Sequence, residues 1–253
     1  VLKALVEFDP LNHFAGFEKY LATGDDREKS DFLSLIRNEL PRETFMELAV
    51  WYYNAGMEEE AGRVLELSPR SAEREYWMSF LQHRKLNTEE LDPAYSFPFR
   101  WESAAVIETH MKSENHWLLK YHLALIYRDR NRIDEALKLM RECGEQPGFA
   151  PFYVVRSEMF KGIDDAQCEK DLQKALSLDN QWRYQQYLAN FYINHGSYDK
   201  AAAIAGPYFK SHPDDFRMGT VYARALLLGK KYSEADAVLA HLNIIPVEGA
   251  TGG

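Results

Sequence analysis

Cysteine is scarce in this chain: Cys143 and Cys168 are the only two in 253 residues, without a Cys-x-x-Cys or a Cys/His ligand spacing. That excludes a zinc finger and a disulfide framework. Both fall where small buried residues are expected, so reduced core thiols are the reading, with a bridge between neighbouring repeats left open. No run approaches the ~18 apolar residues of a membrane span, and no membrane insertion is expected. Basic residues are outnumbered, 30 Lys and Arg against 39 Asp and Glu, for a net charge of −9. Phosphate-backbone binding needs the opposite balance, so nucleic acid is not an expected partner. There is no His-Glu-x-x-His, and His110, His116 and His122 fall six residues apart, which alternates them between opposite sides of a helix. Glycine-rich phosphate loops and a Gly-x-Ser-x-Gly elbow are also missing, so no cofactor, no metal and no elbow-type nucleophile is predicted. The sequence begins at Val1, not at an initiator methionine, no charged stretch with an apolar run follows it, and Leu5 to Pro10 reads as the closing helix of a repeat. With no capping helix after Gly249 to Gly253, both ends read as cuts from a longer chain. The compartment stays open, the cytoplasm being favoured over the periplasm.

What is present is a spacing. Alanines twelve residues apart occur four times, as Ala49/Ala61, Ala124/Ala136, Ala189/Ala201 and Ala223/Ala235. Three of the pairs begin in Leu-Ala-x-x-Tyr: Leu48-Ala49 with Tyr52, Leu123-Ala124 with Tyr127, and Leu188-Ala189 with Tyr192. The last two copies are 34 residues apart, and Tyr198 and Tyr232 keep that offset. A 34-residue period predicts two antiparallel helices per unit, brought close by the small residues. Expected helices are Leu11 to Leu21 and Phe32 to Leu40, a divergent pair within 1–40, broken by Thr23-Gly24-Asp25-Asp26. Glu43 to Ala55 and Glu58 to Leu67 follow within 41–70, with Gly56 as the turn. Further repeats are predicted at 115–148, 149–180, 181–213 and 214–245, with Ser197 and Asp214 placed to cap helices.

The stretch 71–114 breaks the pattern. It is about ten residues too long and has no alanine pair. Helices are expected over Ala72 to His83 and Glu102 to Met111, around a loop at 84–99. Phe97, Phe99 and Trp101 crowd its end, either exposed as a working surface or folded back to plug a gap.

These phrases resemble the tetratricopeptide repeat family, most clearly at 42–69 and 117–242. The resemblance implies a right-handed all-α superhelix, a solenoid of about six helix pairs, that binds proteins or peptides on a concave face. Asp9-Pro10-Leu11-Asn12-His13-Phe14, Tyr95 to Arg100, Cys143-Gly144 with Phe149 to Tyr153, and Leu242 to Pro246 are similar to the C-terminal repeat region of large bacterial proteins common in gut Bacteroidetes. Those carry an N-terminal domain of unknown function thought to be related to sugar-binding or epimerase folds. That likeness implies a carbohydrate-related context and an upstream domain of the same chain as the first partner, with self-association as the runner-up.

Helix positions expected to face inward are Tyr121, Arg128, Tyr153, Arg183, Gln186, Asn190, Arg217 and Arg224. Arginine forks and tyrosine rings there suit an acidic or extended peptide. The chaperone-tail clamp of some family members is not expected, because Gln186 stands where its lysine would precede Asn190, and Thr220 and Val221 follow in the next repeat. The competing reading is an all-α glycosidase with two carboxylates facing each other, for which Asp129, Glu158 and Asp164 are candidates. A non-catalytic interaction module is the preferred expectation.

Overall fold

The computed structural model describes residues 2–94 and 96–242. Tyr95, the Asn243 to Pro246 part of the last phrase and the predicted repeat end at 245 lie outside the described residues. Among the described residues every regular element is helical. No described helix is long and apolar enough to cross a membrane. The helices group into two compact units, Val1–Cys143 and Gly144–Gly253.

The first unit holds α1 (Leu2–Phe8), α2 (His13–Thr23), α3 (Asp26–Leu35), α4 (Pro41–Asn54), α5 (Glu58–Leu67), α6 (Ala72–Leu81), α7 (Trp101–Met111), α8 (Trp117–Asp129) and α9 (Ile133–Glu142). Gly24, at φ 65°, closes α2, and the Asp25 side chain then caps α3 by accepting from the Arg27 amide. Gly56, at φ 77°, makes the α4–α5 turn, a left-handed conformation that costs glycine nothing. α3 ends at Leu35, short of the expected Leu40. Pro41 opens α4 at a position where its missing N–H is no loss, and it forces Leu40 out of helical geometry (ψ 67°).

The second unit holds α10 (Ala150–Phe160), α11 (Asp165–Leu178), α12 (Trp182–Asn194), α13 (Tyr198–Ser211), α14 (Phe216–Leu228) and α15 (Tyr232–His241). Here α14 is capped by Asp215, which accepts from the Arg217 and Met218 amides, and not by the expected Asp214. Ser197 sits at the N-cap of α13 but makes no side-chain cap bond.

The alanine spacing does the packing it predicts. All eight alanines are buried, one in each helix of α4/α5, α8/α9, α12/α13 and α14/α15. In α10/α11 the same twelve-residue spacing is held by Arg156 and Cys168. Arg156 is buried, and its Nε and Nη2 donate to Asp171 Oδ2 and Oδ1 at 2.9 and 2.6 Å while Nη1 donates to the Gly144 carbonyl at 2.6 Å. Burial opposes the guanidinium's charge, but the Asp171 carboxylate holds its pKa above the ordinary value. A charge thus stands at one of the two positions that small residues hold in the other pairs, and Cys168 keeps the other small. Both cysteines are buried, and among the described residues neither is in a disulfide.

The 71–114 stretch departs from a hairpin. Ser103, near the start of α7, donates to Glu73, near the start of α6, at 2.6 Å, and Lys85, just past α6, pairs with Glu114, just past α7, at 3.2 Å. Starts meet starts and ends meet ends, so α6 and α7 run the same way. Parallel helices need a connection that travels back their whole length, about 15 Å for ten residues. That is the work of the inserted loop. His83, at φ 50°, reverses the chain after α6, with the Arg84 amide donating to the Ser79 carbonyl. The loop then makes a 3-10 turn at Thr88–Glu90, buries Leu86, Ser96 and Pro98, and fastens to α4 where Arg100 donates to Glu43 at 2.6 Å.

Candidate functional site

The second unit carries an open helix face. In α12 only Leu188, Ala189, Tyr192 and Ile193 are buried. The other side presents Arg183, Tyr187, Asn190 and Asn194, spaced by three, four and seven residues and so aligned along one stripe. α14 packs beside α12 and adds Arg217 and Arg224, two turns apart.

A cleft of about 360 Å³ opens on this face between α10, α11, α12 and α14. Its floor is apolar, from Cys168, Leu172 and Phe191. Its polar lining comes from Glu158, Lys161, Asn190, Asn194 and Arg224. Among the described residues no side-chain hydrogen bond or ion pair occupies any of these five groups. Free amide donors and acceptors above an apolar floor suit a peptide chain that lays its backbone against Asn190 and Asn194 and drops a side chain inward. At the other end of the stripe, the Trp182 ring carries two guanidinium groups, Arg217 at 4.0 Å and Arg183 at 5.5 Å from its centre. Arg217 also reaches Asp215 at 3.3 Å, and although burial works against the carboxylate, Arg217 and the helix amides hold its pKa below the ordinary range.

The floor thiol is no nucleophile. Cys168 donates to the Ser157 carbonyl at 3.1 Å, and burial, with Asp165 and Asp171 nearby, pushes its pKa up to about 11. His195, on the rim, stacks on Phe191 with ring centres 4.1 Å apart and lies 3.2 Å from the Asp165 carboxylate.

Of the residues proposed from the sequence, Asn190 and Arg224 come together in this cleft, Arg183 and Arg217 meet at Trp182, and Gln186 is half-buried beside them on α12. Tyr121 and Tyr153 do not face a ligand. Both are fully enclosed, and the Tyr153 hydroxyl donates to the Pro147 carbonyl at 2.9 Å. Their rings are core groups because α8 and α10 are covered on the sides where these positions fall. Arg128 is exposed at the end of α8, in the first unit. Phe97, Phe99 and Trp101 are each about half exposed, so they plug no gap. Arg100 stacks over Phe99 at 4.4 Å, and Arg132 lies over both Trp101 and Tyr127. Of the carboxylates considered for hydrolysis, Glu158 lines the cleft, Asp164 caps α11 and Asp129 lies beside Arg130. Among the described residues no cluster of His, Cys, Asp and Glu could hold a metal ion. Sequence reasoning passed over Lys161, Tyr187, Phe191, Asn194 and His195. Asn194 was findable, since it follows Asn190 by one helical turn.

No family model matches this chain, and no curated protein matches it. Solved structures do resemble it. A tetratricopeptide repeat protein from Parabacteroides merdae is 15% identical over 79% of this chain and 77% of its own, at a TM-score of 0.44. A thermophilic TPR protein of Thermus thermophilus is 21% identical over 74% of this chain and 99% of its own, at 0.41. The nearly identical TPR-like repeats of a Podosopora anserina protein are 13% identical over 81% and 95%, at 0.47. At such scores the all-α fold stands on the chain's own helix pairs and buried alanines.

Proposed function

We propose that this chain is a non-catalytic protein-interaction module whose second unit holds an extended, acidic peptide segment across α10, α12 and α14. One observation carries the reading: five polar side chains, Glu158, Lys161, Asn190, Asn194 and Arg224, line one cleft without hydrogen-bond or ion-pair partners among the described residues. Arg183 and Arg217 on Trp182 extend the same stripe with positive charge in a chain whose net charge is −9. A lone cleft carboxylate and a thiol kept protonated support binding over chemistry. The four phrases that resemble larger bacterial proteins of carbohydrate-related context make a neighbouring domain of the same protein the first partner to try.

Selection from a displayed library of random peptides tests this without a known ligand. Enriched peptides should carry acidic residues and should bind Asn190→Ala/Asn194→Ala/Arg224→Ala about tenfold or more weakly than the parent, as expected when central interface groups are truncated. Equal binding to parent and variant would sink the cleft as the site.

A further inference from the structure

We infer that His195 is a proton-operated latch on the rim of this cleft: its imidazolium ties the end of α12 to the start of α11, and the cleft favours anionic ligands while that proton is on. The inference concerns regulation and rests on the cleft being a peptide site. Its basis is the placement of the two ring nitrogens. Nδ1 lies 2.8 Å from the Phe191 carbonyl oxygen, and Nε2 lies 3.2 Å from Asp165 Oδ2. Both partners can only accept. A neutral imidazole has one N–H and must forfeit one of the two bonds, whereas the imidazolium donates both. The carbonyl belongs to the last turn of α12, where helix dipoles favour a cation, and the ring stacks on Phe191.

The surroundings on each packed element agree. α11 presents Asp165 and Glu169, and Glu169 is itself held by Lys200 of α13 at 3.0 Å. The end of α10 supplies Glu158 and Lys161 to the same cleft, and α14 supplies Arg224. The Phe191 carbonyl, then Asp165 and Glu169, raise the His195 pKa above the ordinary imidazole value despite partial burial, which lowers it. Loss of the proton as pH rises past its raised pKa frees the longer bond, to Asp165. It also removes one positive charge beside Lys161 and Arg224 and leaves a carboxylate uncompensated at the rim.

An NMR titration of the whole chain decides it. The His195 ring resonance, assigned by its loss in His195→Gln, should titrate above the ordinary value of about 6.5, and Asp165→Asn should lower that midpoint. The side-chain amides of Asn190 and Asn194 should shift through the same midpoint. Peptides selected on the cleft should then bind roughly two- to fivefold more weakly at pH 8 than at pH 6, a dependence flattened in His195→Gln. A midpoint at or below the ordinary value, indifference to Asp165→Asn, or silent Asn190 and Asn194 amides would overturn the latch. Should the selected peptides bind the cleft at neither pH, the ligand reading falls, and the titration still decides the latch by itself.

Discussion

The helices α8 and α12 carry the same repeat phrase, Leu-Ala-x-x-Tyr, and lie in different surroundings. In α8 the buried set runs through Leu118, Leu119 and the unbroken stretch Tyr121 to Tyr127, so the helix is covered all round. In α12 the buried set is one stripe of four residues. Within the first unit, α8 is touched by α9, by Tyr76 of α6 through His122, by Glu108 of α7 through Tyr127, and by the inserted loop, whose backbone at Ser96 approaches His122. Among the described residues of the second unit the α12 stripe stays uncovered, and a cleft opens there instead. A repeat phrase therefore specifies the hairpin but not whether its helix offers a binding face. That depends on what the connections lay over it.

The two units also bury charge differently, and the largest expected effect tests this contrast. In the second unit Arg156 and Asp171 neutralise each other with a forked pair of bonds, and Gln167 donates to the same carboxylate at 2.8 Å. Asp171→Ala leaves the buried guanidinium with only the longer 3.4 Å contact to the half-exposed Glu145 as counter-charge, which should cost about 3–5 kcal/mol in denaturant unfolding. In the first unit the buried charge is a single carboxylate, Glu73, held by the Ser103 hydroxyl, which also accepts from Trp77 Nε1 at 2.9 Å. A loss on Asp171→Ala no larger than that on Glu73→Gln would erase the distinction between a compensated and an uncompensated site.

Glu73 carries the next effect, through pH. Burial raises its pKa from 4.5 to about 6, against the opposing pull of Ser103 and Arg100. The folded chain therefore takes up this proton before the unfolded chain does. The stabilisation is fully present below about pH 4.5 and is lost as pH rises through about 6, an effect of about 2 kcal/mol at 1.36 kcal/mol per pKa unit. His122 opposes it. Burial lowers its pKa from 6.5 to about 3, so its contribution is intact above pH 6.5 and fades as pH falls below that value. Subtracting the stability curve of Glu73→Gln from that of the parent between pH 4 and 8 isolates the carboxylate. A flat difference would mean that Glu73 is solvated in solution.

Much of this was legible in the chain because alanine spacing reports helix contact directly. Ala49/Ala61 and its three counterparts mark the helices that pack, and Gly24 and Gly56 mark where two helices stop. Tyr121 was not legible as a core residue. Its place in the repeat suits a ligand face, and only the neighbouring elements reveal that the face is covered. The α10/α11 pair was expected from the repeat register without its alanines, but its buried charge was not legible: Arg156 takes one of the two small-residue positions, and no spacing rule registers it against Asp171. The cleft was half legible: Asn190 and Arg224 follow from helical periodicity, whereas His195 depends on the α12–α13 turn bringing it to Asp165.

The smallest expected effect sharpens the account of the inserted loop. If the loop served to fill a gap, its large aromatics would be the filling, and truncating a buried phenylalanine costs about 3–5 kcal/mol. The structure assigns the anchoring to other groups, namely the buried Leu86 and Pro98 and the Arg100–Glu43 bond. Phe97 and Phe99 are 58% and 48% exposed. Phe97→Ala and Phe99→Ala should each change unfolding free energy by less than about 1 kcal/mol, as surface positions do. Arg100→Ala should cost more than either, because it frees the loop from α4 and strips Glu43 of its partner. The reverse ranking would make the aromatics the loop's anchors, and the cover over the first unit would then be held by stacking, not by the bond to Glu43.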